Sequence, residues 1–293
     1  MFLKMIHKFA AKVCPKSWAK LNTWRAARAD RKHWDERIAD VLACADNARL
    51  KRVPNAGKID GDFQMMHNGL RVLVNGYYGD GITRMLMANC GCHEPQEEVV
   101  FDAIVRTLPP GALMVEAGAY WGFYSMWFCK VLPEAKVYLI EPAAENLAVG
   151  QRNFQKNGFC GDFTRAYIGA QEGRNADGVR IVSIQTFLAE KRLERLDVLH
   201  VDIQGAEVEM LQGSRSLFEG RAIDYVFIST HSMALHAQCA EFLRIYGYRV
   251  LVSVDLEETH SLDGILVACS PLVIPPNFAR PTKKPKRTTN LPI

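Results

Sequence analysis

No stretch of this sequence approaches the ~20 consecutive uncharged apolar residues that a helix needs to cross a bilayer, so a membrane-spanning protein is not expected. A cleavable signal pattern is also missing, because Lys4 and Lys8 interrupt the first apolar residues. The eight cysteines (14, 44, 90, 92, 129, 160, 239 and 269) are scattered among apolar neighbours, the usage of a reducing compartment, which predicts a cytoplasmic location. Cys90, Cys92 and His93 cluster in "NCGCHEPQEE", but no second C-x-x-C or H-x-x-x-H completes a zinc set, so a tight loop with buried thiols is predicted. A basic body is lacking too. Net charge is +4, yet residues 1–60 carry 14 Lys/Arg against 6 Asp/Glu, residues 61–279 carry 17 against 26, and residues 280–293 carry 5 against none. An acidic middle argues against nucleic acid and for a small-molecule or glycan substrate.

What is present is enough apolar material, 48% of 293 residues, for one large domain with an appendage. Residues 1–60 read as a basic helical appendage. Phe2, Met5, Ile6, Phe9 and Val13 fall on one face of a first helix and Lys4, Lys8 and Lys12 on the other, which suits packing on the main domain or peripheral contact with a membrane surface. Further helical patterning runs from Ser17 to Cys44. Residues 61–93 are irregular and glycine-rich, with a hairpin pattern, and form either a substrate lid or a cover over the core. From 94 to 270 strands and helices alternate, which implies parallel pairing with right-handed crossovers: a Rossmann-like, doubly wound α/β sheet, mostly parallel with an antiparallel terminal strand. Residues 271–293 are basic and Pro-rich without apolar period, and a disordered tail is expected.

The site should lie outside the carboxyl ends of the strands, where the strand order reverses. There the chain reads "VEAGAYWGFYSMWF" (115–128), with Glu116, Gly118 and Gly122 spaced E-x-G-x-x-x-G. A dinucleotide site wants G-x-G-x-x-G with a helix N-terminus facing the pyrophosphate, and an acid at the start would repel a diphosphate. It suits a cofactor with a cationic amine and a sulfonium, such as S-adenosylmethionine. Glu141 closes the next strand, placed to accept hydrogen bonds from ribose hydroxyls, a role common to NAD and S-adenosylmethionine sites. An NAD-dependent oxidoreductase and a non-catalytic scaffold of the same fold are the competing readings.

"VEAGAYWGFYS", "LIEPAAENLAVGQRNFQKNG" and "LDVLHVDIQGAEVEMLQG", in this order, resemble the FkbM family of class I S-adenosylmethionine-dependent methyltransferases. The resemblance covers about residues 94–253. It implies cofactor contacts from Glu116, Gly118, Ala119, Tyr120 and Gly122 at the methionine end and from Glu141 at the ribose. It places Asp202 beside the transferred methyl, brings Glu97 or Glu98 near the methionine amine, and implies O-methylation of a sugar or secondary-metabolite hydroxyl. Glu116 stands where the family more often has Asp, Tyr120 and Trp121 are bulky for the turn, and Gln204 replaces a common Glu. Among strand-end groups His231, in "FISTHS", is the expected general base, with an unperturbed pKa of about 6.5, and Asp202 an orienting group. Asp202, Glu207 and His231 are also a set that Mg²⁺ accepts in some other O-methyltransferases.

Overall fold

The computed structural model describes residues 15–285, with side chains from residue 29 onward. The predicted helix over residues 1–13 and the end of the tail lie outside the described residues. The helices are α1 (Pro15–Ala43), α2 (Asp80–Ala88), α3 (Pro95–Val105), α4 (Phe123–Val131), α5 (Ala144–Asn157), α6 (Ile184–Lys191), α7 (Glu207–Gly213), α8 (Arg215–Glu219) and α9 (Met233–Ile245). The strands are β1 (Ile59–Asp60), β2 (Phe63–Met65), β3 (Arg71–Leu73), β4 (Leu113–Ala117), β5 (Lys136–Ile140), β6 (Asp162–Thr164), β7 (Tyr167–Ile168), β8 (Gly173–Arg174), β9 (Arg180–Val182), β10 (Leu196–Val201), β11 (Ile223–Thr230), β12 (Arg249–Val254) and β13 (Gly264–Cys269).

Seven strands form the main sheet in the order β12-β13-β11-β10-β4-β5-β6. β13 runs antiparallel to both its neighbours and the other pairs are parallel. This is the expected Rossmann-like sheet, with the antiparallel strand slotted between β11 and β12. Side chains alternate across it, as the pleat requires. Met114, Val198, Tyr225 and Phe227 enter a core shared with α3 and α4, while Val115, Leu199, Val226 and Ile228 enter the core on the other face. The central strands are buried on both sides, hence their nearly continuous apolar runs. His200 interrupts one of these runs.

Residues 162–168 are divided between β6, at the edge of the main sheet, and β7, which joins a small sheet with β9 and β8. The helical segment after β10 breaks at Ser214 into α7 and α8.

Residues 61–93 form a docked cover. β1, β2 and β3 make an antiparallel sheet, and β3 is tied to α5. Asn157 receives the Arg71 N–H on Oδ1 (2.9 Å) and donates from Nδ2 to the Arg71 carbonyl (2.7 Å), while Asn153 Oδ1 receives the Leu73 N–H (2.8 Å). The described end of α1 is integral to the core: Val41 is fully buried, and Trp34 and Ile38 pack against it. The expectation of a disordered tail does not hold for residues 271–285. Thr282 donates from N and Oγ1 to buried Asp46, Lys283 pairs with Glu258 and Lys284 with Asp40, so polar anchors replace the missing apolar period.

At the point where strand order reverses, the loops after β4 and β10 nearly touch. Gly118 has φ +77°, and a Cβ there would lie 1.7 Å from the Asp202 carbonyl oxygen. Gly158, with φ +72° at the end of α5, has nothing within 4 Å of such an atom. Gly118→Ala should therefore cost about 3 kcal/mol or more, combining left-handed strain of about 1–2 kcal/mol with displacement of the β10 loop. Gly158→Ala should cost only about 1 kcal/mol. Urea denaturation of both variants checks this, and equal losses would show that the loop contact adds nothing.

Candidate active site

Two cavities open at the carboxyl edge of the sheet. The first, about 440 Å³, lies over the ends of β4 and β5 and is lined by Gly118, Tyr120, Glu141, Asn146, Ile168 and Ile203 among others. The second, about 360 Å³, is lined by Trp34, Arg37, His93, Glu94, Ser261 and Asp263 among others. Tyr77, Tyr78, Asp202 and Gln204 line both, so Asp202 stands at their common wall.

Glu141 is held from three sides. Its Oε1 accepts from the Ala143 N–H (3.0 Å) and Asn146 Nδ2 (3.2 Å), and its Oε2 from the Tyr120 N–H (3.2 Å). Burial raises its pKa, and those donors oppose the rise. A carboxylate offers about four acceptor positions, so Oε2 retains one for a ligand. Tyr120 reaches Glu141 by adopting φ +42°.

Other predicted contacts fall elsewhere. Glu116 is buried and absent from both cavity walls; its Oε2 accepts the Ser125 N–H (3.0 Å), so it caps α4 from beneath the turn instead of facing a ligand. The N–H groups of Gly118 and Ala119 are spent on the Ile140 carbonyl (2.8 and 3.0 Å). Gly122 answers to packing, because a Cβ there would meet Phe154 and Leu139 at 2.9 and 3.0 Å. Glu97 is buried against His200, with Oε1 2.7 Å from Nε2, and does not reach either cavity. Burial disfavours charge on both partners; the hydrogen bond to Glu97 nonetheless carries the His200 pKa up.

Glu98 is also wholly buried. It lies 3.1 Å from His67 Nε2 and 2.7 Å from His93 Nδ1, and accepts the His93 and Glu94 N–H groups over the start of α3. The acid that does reach a cavity is Glu94. It accepts from Ser261 Oγ (3.0 Å) and Tyr124 Oη (3.2 Å) and lies 3.2 Å from His93 Nε2. Burial works against its charge, but His93 and Arg37 prevail and hold its pKa down at about 2.

His231, Asp202 and Glu207 are brought together as the sequence suggests, with Asp263 as an unforeseen fourth member. His231 Nδ1 is 2.7 Å from Glu207 Oε1, and Nε2 lies 3.2 Å from Asp202 and 3.4 Å from Asp263. Neither of the Nε2 contacts is aligned as a hydrogen bond. Burial opposes protonation of the ring, yet Asp202, Glu207 and Asp263 outweigh it and raise the pKa to about 10. The imidazole expected to titrate near 6.5 is therefore an imidazolium at neutral pH. Asp263 is pushed up to about 7 by burial and by Asp202, against the pull of His231. Among the described residues no side-chain group has the makings of a metal site, so the suggested Mg²⁺ set is not supported. No helix among them is long and apolar enough to cross a membrane.

Residues 161–250 match the family model for the Methyltransferase FkbM domain. The matched stretch includes Asp202, Glu207 and His231 but not the turn after β4, Glu141 or Asp263. Among solved structures, a precorrin-6y C5,15-methyltransferase from Geobacter metallireducens GS-15 shares 15% identity over 58% of this chain and 87% of that one, with a TM-score of 0.41. An rRNA methylase from Streptococcus thermophilus shares 11% over 60% and 96%, with a TM-score of 0.43. A SAM-dependent methyltransferase from Aquifex aeolicus shares 15% over 60% and 89%, with a TM-score of 0.37. A search of curated proteins gave no match.

A buried His–Glu cluster beneath the site ties stability to pH in two directions. Burial disfavours the charged His93 ring, but Glu94 and Glu98 raise its pKa from 6.5 to about 10, so its contribution is complete below pH 6.5 and lost as pH climbs to 10. Glu94, lowered from 4.5 to about 2, contributes above pH 4.5 and loses that contribution as pH falls to 2. The unfolding free energy should thus decline on both sides of this window, by a few kcal/mol toward pH 10. Urea titrations across pH should show His93→Gln roughly halving the alkaline slope, since His231 titrates there too; an unchanged slope would mean the His93 ring is neutral.

Proposed function

We propose that the protein transfers a methyl group from S-adenosylmethionine to a hydroxyl oxygen of a sugar, glycan or secondary-metabolite scaffold. The observation that carries this reading is the meeting of the two cavities at Asp202. The cavity over β4 and β5 suits the cofactor: Glu141 keeps an acceptor position for a ribose hydroxyl, Ala166, Ile168 and Ile203 offer an apolar wall for an adenine, and Tyr77 and Tyr78 present rings near the shared wall, where a cation is favoured. When bound, S-adenosylmethionine supplies a methyl on a positively charged sulfur. A dinucleotide fits less well, because Glu116 already occupies the α4 N-terminus that a pyrophosphate would use.

The second cavity suits the acceptor. Trp34 and Tyr77 give flat faces, and Arg37, Glu94 and Asp263 give hydrogen-bonding groups, a mixture that matches a polyhydroxylated ring. Asp263 takes the hydroxyl proton. Its pKa near 7 is close to the optimum for a general base. Glu207 fixes the His231 ring through Nδ1, and the imidazolium holds Asp202 and Asp263 in place. His231 and Asp202 thus remain in the catalytic centre, with His231 as the organising cation instead of the base. The chief contribution is alignment of oxygen and methyl at near-contact distance.

Glu141→Ala should weaken binding of S-adenosylhomocysteine by about 1.5–3 kcal/mol, the scale of a charged hydrogen bond. Calorimetry measures it, and tighter binding of NAD than of S-adenosylhomocysteine would refute the cofactor assignment. Turnover with a glycan or metabolite pool and labelled S-adenosylmethionine should rise with pH through about 7, as Asp263 deprotonates, and fall toward 10, as His231 loses its proton. Asp263→Asn should lower turnover by roughly 10²- to 10⁴-fold with little change in cofactor affinity. His231→Asn should move the acidic limb to higher pH, because Asp263 loses its cation. An acidic limb that survives Asp263→Asn would place the base elsewhere.

A further inference from the structure

A third cavity, of about 490 Å³, lies away from the site just described. α4 starts at the carboxyl edge of the sheet, and its last residues, Lys130 and Val131, line this cavity together with Asp102 and Arg106 from the end of α3. It therefore sits toward the opposite edge, on the face that the cover packs against.

Its wall is strongly cationic. Arg49, Lys51, Arg52, Arg106 and Lys130 contribute to it, against one acid, Asp102. Arg49 is neutralised by Asp46 and Arg106 by Asp102. Lys51, Arg52 and Lys130 have no carboxylate within ion-pair distance among the described residues. The Arg52 guanidinium is fixed by Asn47, with Nη1 donating to its carbonyl (2.6 Å) and Nη2 to its Oδ1 (3.2 Å), and this leaves Nε buried without a partner. Asn68 is oriented by the Leu70 N–H, which donates to its Oδ1 (3.1 Å), and its Nδ2 is likewise buried and unpartnered. Buried donors without acceptors are rare because each forfeits its hydration. Both belong to residues of this wall, and the three cations Lys51, Arg52 and Lys130 that line one cavity without a carboxylate partner lack an acceptor carrying negative charge. Val53, Val99 and Trp127 supply an apolar floor.

We propose that this cavity binds a phosphate group, free or as the ester of a small molecule. Arg and Lys are the side chains that recognise phosphate oxygens, Arg by directed donors and Lys as a point charge. The volume admits a small ester, whose body would rest on the apolar floor. The site rests on nothing in the proposed methyl transfer.

Calorimetry on the full chain with inorganic phosphate, ribose 5-phosphate and ribose tests it. Phosphate or ribose 5-phosphate should bind, more weakly as salt is raised, and ribose should not. Lys51→Ala and Lys130→Ala, both at exposed positions, should fold normally and each weaken binding about tenfold, the scale of one charged contact. Lys58→Ala, an exposed cation outside the cavity, should leave it unchanged. Stronger binding of ribose 5-phosphate than of phosphate would identify an ester as the occupant, and equal binding would identify the free anion. Absence of binding by both, an equal loss in Lys58→Ala, or unaltered affinity in Lys51→Ala and Lys130→Ala would overturn the assignment, as would binding of RNA without binding of the small probes.

Discussion

The arrangement of the site depends on the approach of two backbone segments where the strand order reverses. Gly118 after β4 faces the Asp202 carbonyl after β10 at a separation no Cβ would permit. Glycine at this point of an α/β sheet is usually read as making room for a ligand. Here its first duty is to admit another part of the chain. Because the loops meet, the Gly118 and Ala119 N–H groups bind the end of β5, Tyr120 turns into a left-handed conformation, and its N–H steers Glu141. The same contact sets Asp202 at the wall shared by two cavities.

Charge is arranged in two buried layers beneath this edge. In the lower layer Glu116 holds the N-terminus of α4, Glu97 holds His200, and Glu98 holds His67 and His93. These acids are almost without solvent exposure, so each needs a partner for its charge. The upper layer is Glu94, Asp202 and Asp263, which line the second cavity, with His231 against Asp202 and Asp263. The division explains why acids that look alike along the sequence differ in consequence: Glu94 and Glu97, one helical turn apart, end in different layers.

The fold was legible because its signals are local. Alternating apolar strands and helices mark the parallel sheet, and strand-end positions single out Glu141, Asp202 and His231 as candidates. What stayed hidden depends on segments far apart in the chain. Asp263 precedes the antiparallel strand β13, and nothing nearby says that it will face His231 across the sheet edge. The partners of Glu97 and Glu98 could not be foreseen either, since His200 and His67 come from a central strand and from the cover. "NGYYGDG" was readable as irregular structure, but its two tyrosines enter both cavities only because Asn153 and Asn157 pin β3 to α5.

The same division separates what the fold fixes from what this chain adds to it. The first cavity is built largely by loops that follow β4, β5 and β10, elements of the sheet itself, with Tyr77 and Tyr78 of the cover added. The second cavity is built chiefly by Trp34 and Arg37 of α1, the tyrosines of the cover, and Ser261 and Asp263 ahead of β13, beside Asp202 and Gln204. Arg37 bonds to the His260 carbonyl and to Ser261, so α1 and the β12–β13 connection are held to each other across the opening of that cavity. Gln96 secures the same connection through the His260 N–H and reaches the tail at the Thr282 carbonyl. Much of the shape and charge of the second cavity is therefore set by segments outside the parallel sheet. A change in α1 or the cover would reshape the second cavity while leaving Glu141 and the turn after β4 in place.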